Sequence, residues 1–351
     1  MVAVKSIFAP YIYVCTRMRV RKSKLIPREE YMRMLNMSLP EITRIIQETE
    51  YKQEIDELSS VFKGIDLIEV ALSWNLAKEY QKILEITPGN LKQFTRSYLR
   101  RWDIQNVLII LRGKMQGEKV GKIKEILVPA GSLDRDILDR LLTEDSAEKI
   151  VEALKGKWIY KVISREFPSA KESGSFSRME NELYKQFFSE IIAEADSGIK
   201  GGNQFLDFIR FDIHIRNIKT LFRLRMDTFE EDASEMYIAG GVLSSADFVY
   251  LNTIRDQTEF IDQLKTKIRN NLLLSLLDEL KSEKVIRDVE SRLTRVQLEQ
   301  MEHLSKRNPF SIHPILVYLE KKKYEVFNLR ALARGKESKL SSERIAEYLV
   351  I

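Results

Sequence analysis

Apolar residues fall at i, i+3, i+4 and i+7 through long stretches of this chain, the spacing that gathers them onto one face of an α-helix. From Ile65 to Ile86 one broad stripe runs through Leu67, Ile68, Ala71, Leu72, Ala77 and Ile83, and Pro88-Gly89 ends it. The same reading predicts helices with buried faces over residues 184–195, 203–225, 257–283 and 312–334. No run alternates with period two, and the 8 prolines and 14 glycines punctuate the sequence instead of pervading it. The expected fold is therefore all-α with essentially no sheet. Residues 168–178 (PSAKESGSFSR) read as a flexible insertion.

The pattern also repeats. Three windows read RRWDIQNVLIILRGK from Arg100, RFDIHIRNIKTLFRLR from Arg210 and KKKYEVFNLRALARGK from Lys321. Their asparagines, Asn106, Asn217 and Asn328, are equally spaced, since 217 − 106 = 111 and 328 − 217 = 111. Around each, an apolar residue stands two before (Ile104, Ile215, Val326) and one after (Val107, Ile218, Leu329). Six residues on comes an arginine, Arg112, Arg223 or Arg334, and eight on a cation, Lys114, Arg225 or Lys336. Downstream, VPAGSLDRDIL from Val128 parallels IAGGVLSSADF from Ile238, each a glycine turn followed by Ser or Asp positioned to cap a further helix. Upstream, EEYMRML and NELYKQFF resemble each other loosely. The sequence divides into three pseudo-symmetric helical repeats over about 1–115, 116–226 and 227–351, with signature helices at 90–115, 203–226 and 312–336. An asparagine at one place in three amphipathic helices suits a buried crossing, where its amide can satisfy backbone groups. The arginine lies further round the helix, placed to pair with a carboxylate.

Composition narrows the functional classes. With 351 residues and 44% hydrophobic content the chain can build a sizeable core. The single cysteine, Cys15, excludes an intrachain disulfide framework and agrees with a reducing compartment. The longest aliphatic stretch, Val107 to Leu111, is far too short to span a bilayer, and no secretory pattern opens the chain. Lys and Arg exceed Asp and Glu by 57 − 52, or +5, and charged residues of both signs make up 31%. The densest cationic run, RMRVRKSK from Arg17 to Lys24, could meet phosphate or a lipid headgroup.

The constellations that carry catalysis do not assemble in the sequence. Of the three histidines, His303 has Glu299 on its helical face but no third ligand, and His214 occupies the place held by Asp103 and Glu325 in the other windows, so no metal site is expected. GKMQGEKVGK falls short of a phosphate loop: three residues, not four, separate its last two glycines, Ile123 stands where Ser or Thr is needed, and no strand precedes it. No G-x-S-x-G elbow occurs, and Cys15 has no histidine near it in sequence. No cofactor, substrate or catalytic residue is expected.

YIYVCTRMRVRKSKLIPREEY (from Tyr11), followed by LPEITRIIQETEY (from Leu39), resembles the opening of the C subunit of archaeal and bacterial A/V-type ATPases. The three D/E-x-x-N helices, two of them ending in R-G-K, are similar to that family and to its eukaryotic relative, the d subunit of the vacuolar ATPase. His214 in place of an acid and Leu224 in place of glycine depart from the pattern. The resemblance implies a stiff, funnel-like or disc-like bundle with pseudo-threefold symmetry and no catalytic residues. It implies a place on the cytoplasmic face of the membrane, peripheral to it, between the proteolipid ring of the membrane sector and the D and F subunits of the axle. Such a part couples ATP synthesis or hydrolysis to proton or sodium transport. Arg17, Arg19 and Arg21 are then candidates for contact with ring loops or headgroups, and no nucleic acid is expected. The other class compatible with the charge is a freestanding helical scaffold that binds RNA or an anionic membrane surface.

Overall fold

The computed structural model describes residues 9–226, 232–283 and 285–351, and every regular element among them is helical. After α1 (Ala9–Lys22) come three short helices, α2 (Arg28–Met34), α3 (Leu39–Gln47) and α4 (Lys52–Leu58), and a long one, α5 (Gly64–Ile86). A second long segment follows in two pieces, α6 (Gly89–Leu99) and α7 (Arg101–Met115), and then the short α8 (Val120–Ile126). The same order of lengths recurs in α9 (Arg135–Thr143), α10 (Ala147–Ala153), α11 (Tyr160–Ser173), α12 (Ser177–Ala195), α13 (Gly202–Met226) and α14 (Ala233–Met236). It recurs again in α15 (Ser245–Thr253), α16 (Gln257–Thr266), α17 (Asn271–Glu279), α18 (Ile286–Arg307), α19 (His313–Glu337) and α20 (Ser342–Ala346). The closing short helices end at Ile126, Met236 and Ala346, an even spacing in which 236 − 126 = 110 and 346 − 236 = 110.

Local chemistry sets these boundaries. Behind the two glycine turns, Asp134 accepts the Ile137 N–H at 2.9 Å to open α9, and Ser244 accepts the Asp247 N–H at 3.1 Å to open α15. In α15 the Asp247 carboxylate returns to the Ser244 N–H, completing a capping box. The stretch 257–283, expected as one helix, is two, because Asn270 accepts the Leu273 N–H and starts α17 afresh; a 3₁₀ turn, Leu280–Ser282, ends it. Residues 168–178 are mostly ordered helix. Pro168 lies inside α11 at the cost of one backbone hydrogen bond, Gly174 ends that helix with φ +70°, and buried Phe167, Ala170 and Phe176 tie the segment down. The 90–115 helix breaks at Arg100, where the Asp103 N–H reaches back three residues to the Arg100 carbonyl at 2.9 Å.

The described residues form two compact units. One comprises residues 9–19, Phe188–Lys321 and Glu347–Ile351; the other comprises Val20–Phe187 and Lys322–Ala346. In the first, α13 packs along α18, and Ile218, Leu221 and Phe222 meet Leu243, Phe248, Phe260 and Leu293 in one core, with Phe222 and Phe260 edge to face at 5.3 Å. In the second, α8 packs on α5 and α7, and Ile68, Leu72, Ile104, Val107, Leu111 and Ile150 are fully buried. No described helix is long and apolar enough to cross a membrane.

Candidate functional site

The signature helices carry a set of polar contacts that recurs, with variations, on each. Asn106 on α7 is fully buried; its Nδ2 donates to the Val128 carbonyl at 2.7 Å, and its Oδ1 accepts the Val128 N–H at 2.9 Å. Asn217 on α13 does the same to Ile238, at 2.7 and 3.1 Å. Only a carboxamide presents a donor and an acceptor side by side, so Leu or Asp could not make this two-pronged bond. It pins the stretch of chain entering each glycine turn onto the helix. Asn328 on α19 is equally buried and hydrogen-bonds the Tyr31 hydroxyl, whose pKa is driven well above its ordinary value by burial, with Glu325 adding to the effect.

Three residues before each asparagine stands the second contact. Asp103 is fully buried and accepts four hydrogen bonds: Ser132 N–H at 3.1 Å, Ser132 hydroxyl at 2.5 Å, Leu133 N–H at 2.9 Å and the Trp158 indole N–H at 2.9 Å. Glycine is required at 131 because a Cβ there would collide with the Asp103 carboxylate. In α19 the corresponding Glu325 accepts the Ile26 N–H at 2.6 Å and the Tyr51 hydroxyl at 2.7 Å. Lys322, itself buried, donates to the same carboxylate at 2.8 Å and lies 3.8 Å from the centre of the Tyr51 ring. Leu133 and Ile26 each stand two residues before the first short helix of their series, and Trp158 and Tyr51 precede the third. The C-terminal signature helix thus grips the N-terminal segment as α7 grips the segment that follows it. In α13 the place is taken by His214, buried, with neither ring nitrogen hydrogen-bonded, and burial pulls its pKa down to about 4.

The arginines complete the set. Arg112 pairs with Glu180 on α12 at 3.1 Å, Arg223 with Glu290 on α18, and Arg334 with Glu69 on α5. These glutamates recur at nearly the period of the asparagines, 180 − 69 = 111 and 290 − 180 = 110, so Arg112 and Arg223 each pair with the next glutamate along the chain and Arg334 with the first. Beside the last pair, half-buried Arg330 donates to the Ser73 hydroxyl at 2.5 Å, and desolvation draws its guanidinium down to about 10, still charged at neutral pH. Two residues past the second and third arginines, the cations cap helix ends: Arg225 donates to the Ile254, Arg255 and Asp256 carbonyls behind α15, and Lys336 to the Leu35 carbonyl behind α2. The glycines of R-G-K let short helices approach: a Cβ at Gly113 would stand 2.6 Å from Ile123, and one at Gly335 2.5 Å from Ile345.

Neither the glutamates nor the aromatic partners stand out in the sequence by themselves, although the glutamates recur at nearly the same period. Of the N-terminal arginines, Arg17 and Arg19 are exposed, whereas Arg21 is half-buried and paired with Glu79. Among the described residues no group of three or more His, Cys, Asp or Glu is placed to hold a metal ion.

Fold and site together define an all-helical protein whose signature helices hold the rest of the chain through internally repeated polar clasps. Comparison with known sequences makes the class specific: residues 14–348 match the family described as ATP synthase (C/AC39) subunit, and the chain belongs to that family. It is 38% identical to the A-type ATP synthase C subunit of Methanosarcina acetivorans, over 97% of this chain and 93% of that relative. It is 36% identical to the C subunit of Archaeoglobus fulgidus, over 98% and 97%, and 30% identical to that of Halobacterium salinarum, over 98% of each.

Proposed function

We propose that this chain is a non-catalytic rotor subunit of the central stalk of an A/V-type ATP synthase. Seated peripherally on the cytoplasmic face of the membrane, it couples the proteolipid ring to the D and F subunits of the axle. It consists of three copies of one helical unit, each running from the first short helix of a series to the last. The observation that carries the reading is the cyclic pairing Arg112–Glu180, Arg223–Glu290 and Arg334–Glu69, together with the grip of Glu325 on Ile26 and Tyr51. Ion pairs and hydrogen bonds that tie sequence-distant helices together suit a part that must carry torque, since close-packed helices transmit strain with little compression. The A-type ATP synthase C subunits that match it over nearly their whole length support the assembly in which it works. Rotation of the ring turns this part and, through it, the axle; ATP hydrolysis in the head drives the reverse.

The test is affinity purification of the tagged chain from native membranes in mild detergent, with the co-purifying proteins identified by mass spectrometry. Recovery of the proteolipid together with D, F and the catalytic subunits is expected. Recovery of the catalytic head without proteolipid, or of neither, would overturn the coupling role.

A further inference from the structure

The positive charge of this protein is concentrated at one end of the sequence. Residues 1–28 contain seven Lys and Arg and no Asp or Glu; the whole chain carries +5, so residues 29–351 sum to 5 − 7 = −2. Part of that charge is neutralised internally, since Arg21 pairs with Glu79 and Lys24 with Glu50 at 2.9 Å. Arg17 and Arg19 differ. Arg17 donates to the Tyr13 hydroxyl at 2.6 Å, and Arg19 donates to the Pro309 carbonyl at 2.9 Å and lies over the Phe310 ring at 5.6 Å. Among the described residues neither guanidinium has a carboxylate partner.

Helical geometry orders these groups. At 3.6 residues per turn, Arg19, Ile12, Thr16, Tyr13 and Arg17 fall in that order around about 160° of α1, with the two arginines as its edges. All five are exposed, Ile12 at 42% and Tyr13 at 53%, whereas Val14, Cys15 and Met18 fill the opposite, buried face. The Cys15 thiol anchors that face to the Ser311 carbonyl at 3.4 Å, and the same 308–312 loop carries Phe310, 44% exposed, beside Arg19. The result is an aromatic and aliphatic centre flanked by uncompensated cations, without one acid.

We propose that this face of α1, with Phe310, binds the anionic phospholipid surface of the membrane. The charge selects an anionic partner. Exposed Ile12 and Tyr13 between the arginines, with Phe310 beside Arg19, favour the headgroup boundary over nucleic acid or acidic protein loops, since such rings sit at the level of the headgroups while arginines reach the phosphates. The proposal rests on the peripheral membrane placement argued above, and gives that placement a contact of its own, independent of the ring.

The experiment is flotation of the full-length chain with phosphatidylcholine vesicles containing or lacking phosphatidylglycerol, for the wild type, R17A/R19A, R17K/R19K and Y13A/F310A, each checked for folding by circular dichroism. Binding to the anionic vesicles alone, weakened by salt, is expected. R17A/R19A should lower affinity on the order of thirty-fold, and R17K/R19K should stay close to wild type. Y13A/F310A should weaken binding with its salt dependence unchanged. Equal flotation with neutral vesicles, no flotation of the wild type, unaltered binding by folded R17A/R19A, or capture of RNA in place of vesicles would each overturn it. Co-purification of the same variants with the ATP synthase separates the two readings: an intact complex from a wild type that ignores vesicles would sink the lipid contact and leave the rotor role standing.

Discussion

Asp103 and His214 occupy the same register on two signature helices and solve the same problem in different ways. Asp103 is a buried charge made tolerable by four donors, and it ties the Gly131 turn and Trp158 to α7. His214 is equally buried, but its ring nitrogens make no hydrogen bond; its ring lies 6.4 Å from that of Phe211, and Gly241 of the turn approaches its backbone closely. The contact at this register is therefore polar on α7 and apolar on α13, while Asn106 and Asn217 keep the same backbone bond. The difference teaches that the asparagine is the fixed part of the device and the acid its adjustable part.

That contrast can be broken most severely at Asp103. Asp103→Ala leaves two backbone N–H groups and the Trp158 indole without their acceptor, and should cost on the order of 4 kcal/mol in denaturant unfolding. His214→Ala, which removes packing only, should cost about half as much. Acid separates them next. The folded-state pKa of His214, about 4, lies below the 6.5 of an unperturbed histidine, so between those pH values the unfolded chain holds a proton the folded chain lacks. The stability this group contributes is full above pH 6.5 and is lost as pH falls through the window, by about 3 kcal/mol at pH 4. Unfolding of His214→Leu measured from pH 7 to pH 4 should show a correspondingly shallower decline than the wild type. A smaller effect distinguishes the turns. Gly131→Ala forces its methyl into the Asp103 carboxylate and should cost about 2 kcal/mol. Gly241→Ala meets Ile213 and the His214 backbone nearest, at 3.2 and 3.3 Å, and should cost less than about 1 kcal/mol by the same melts. The smallest is the exposed pair Arg112–Glu180, whose double-mutant cycle should give about 0.5 kcal/mol.

The all-helical fold was legible because the apolar period is long and unbroken, and the signature helices because their asparagines and arginines recur at one fixed interval. The glutamate partners carry nearly the same spacing in Glu69, Glu180 and Glu290, but acids on helices are so common that the period alone did not single them out. The grip of Glu325 on Ile26 and Tyr51 was hidden for another reason. It joins residues 299 and 274 positions apart, and the N-terminal short helices share little residue identity with α9–α11 and α15–α17. The helix through Pro168 was hidden as well, because burial of Phe167 and Ala170 on α11 outweighs the local preference of proline.

The most direct test of the coupling role is ion transport by the purified complex in sealed vesicles, with this chain present, omitted and added back, alongside ATP hydrolysis in the same samples. Complexes lacking it should hydrolyse ATP without transporting ions and regain transport when it is restored; transport that proceeds undiminished in its absence would contradict the account.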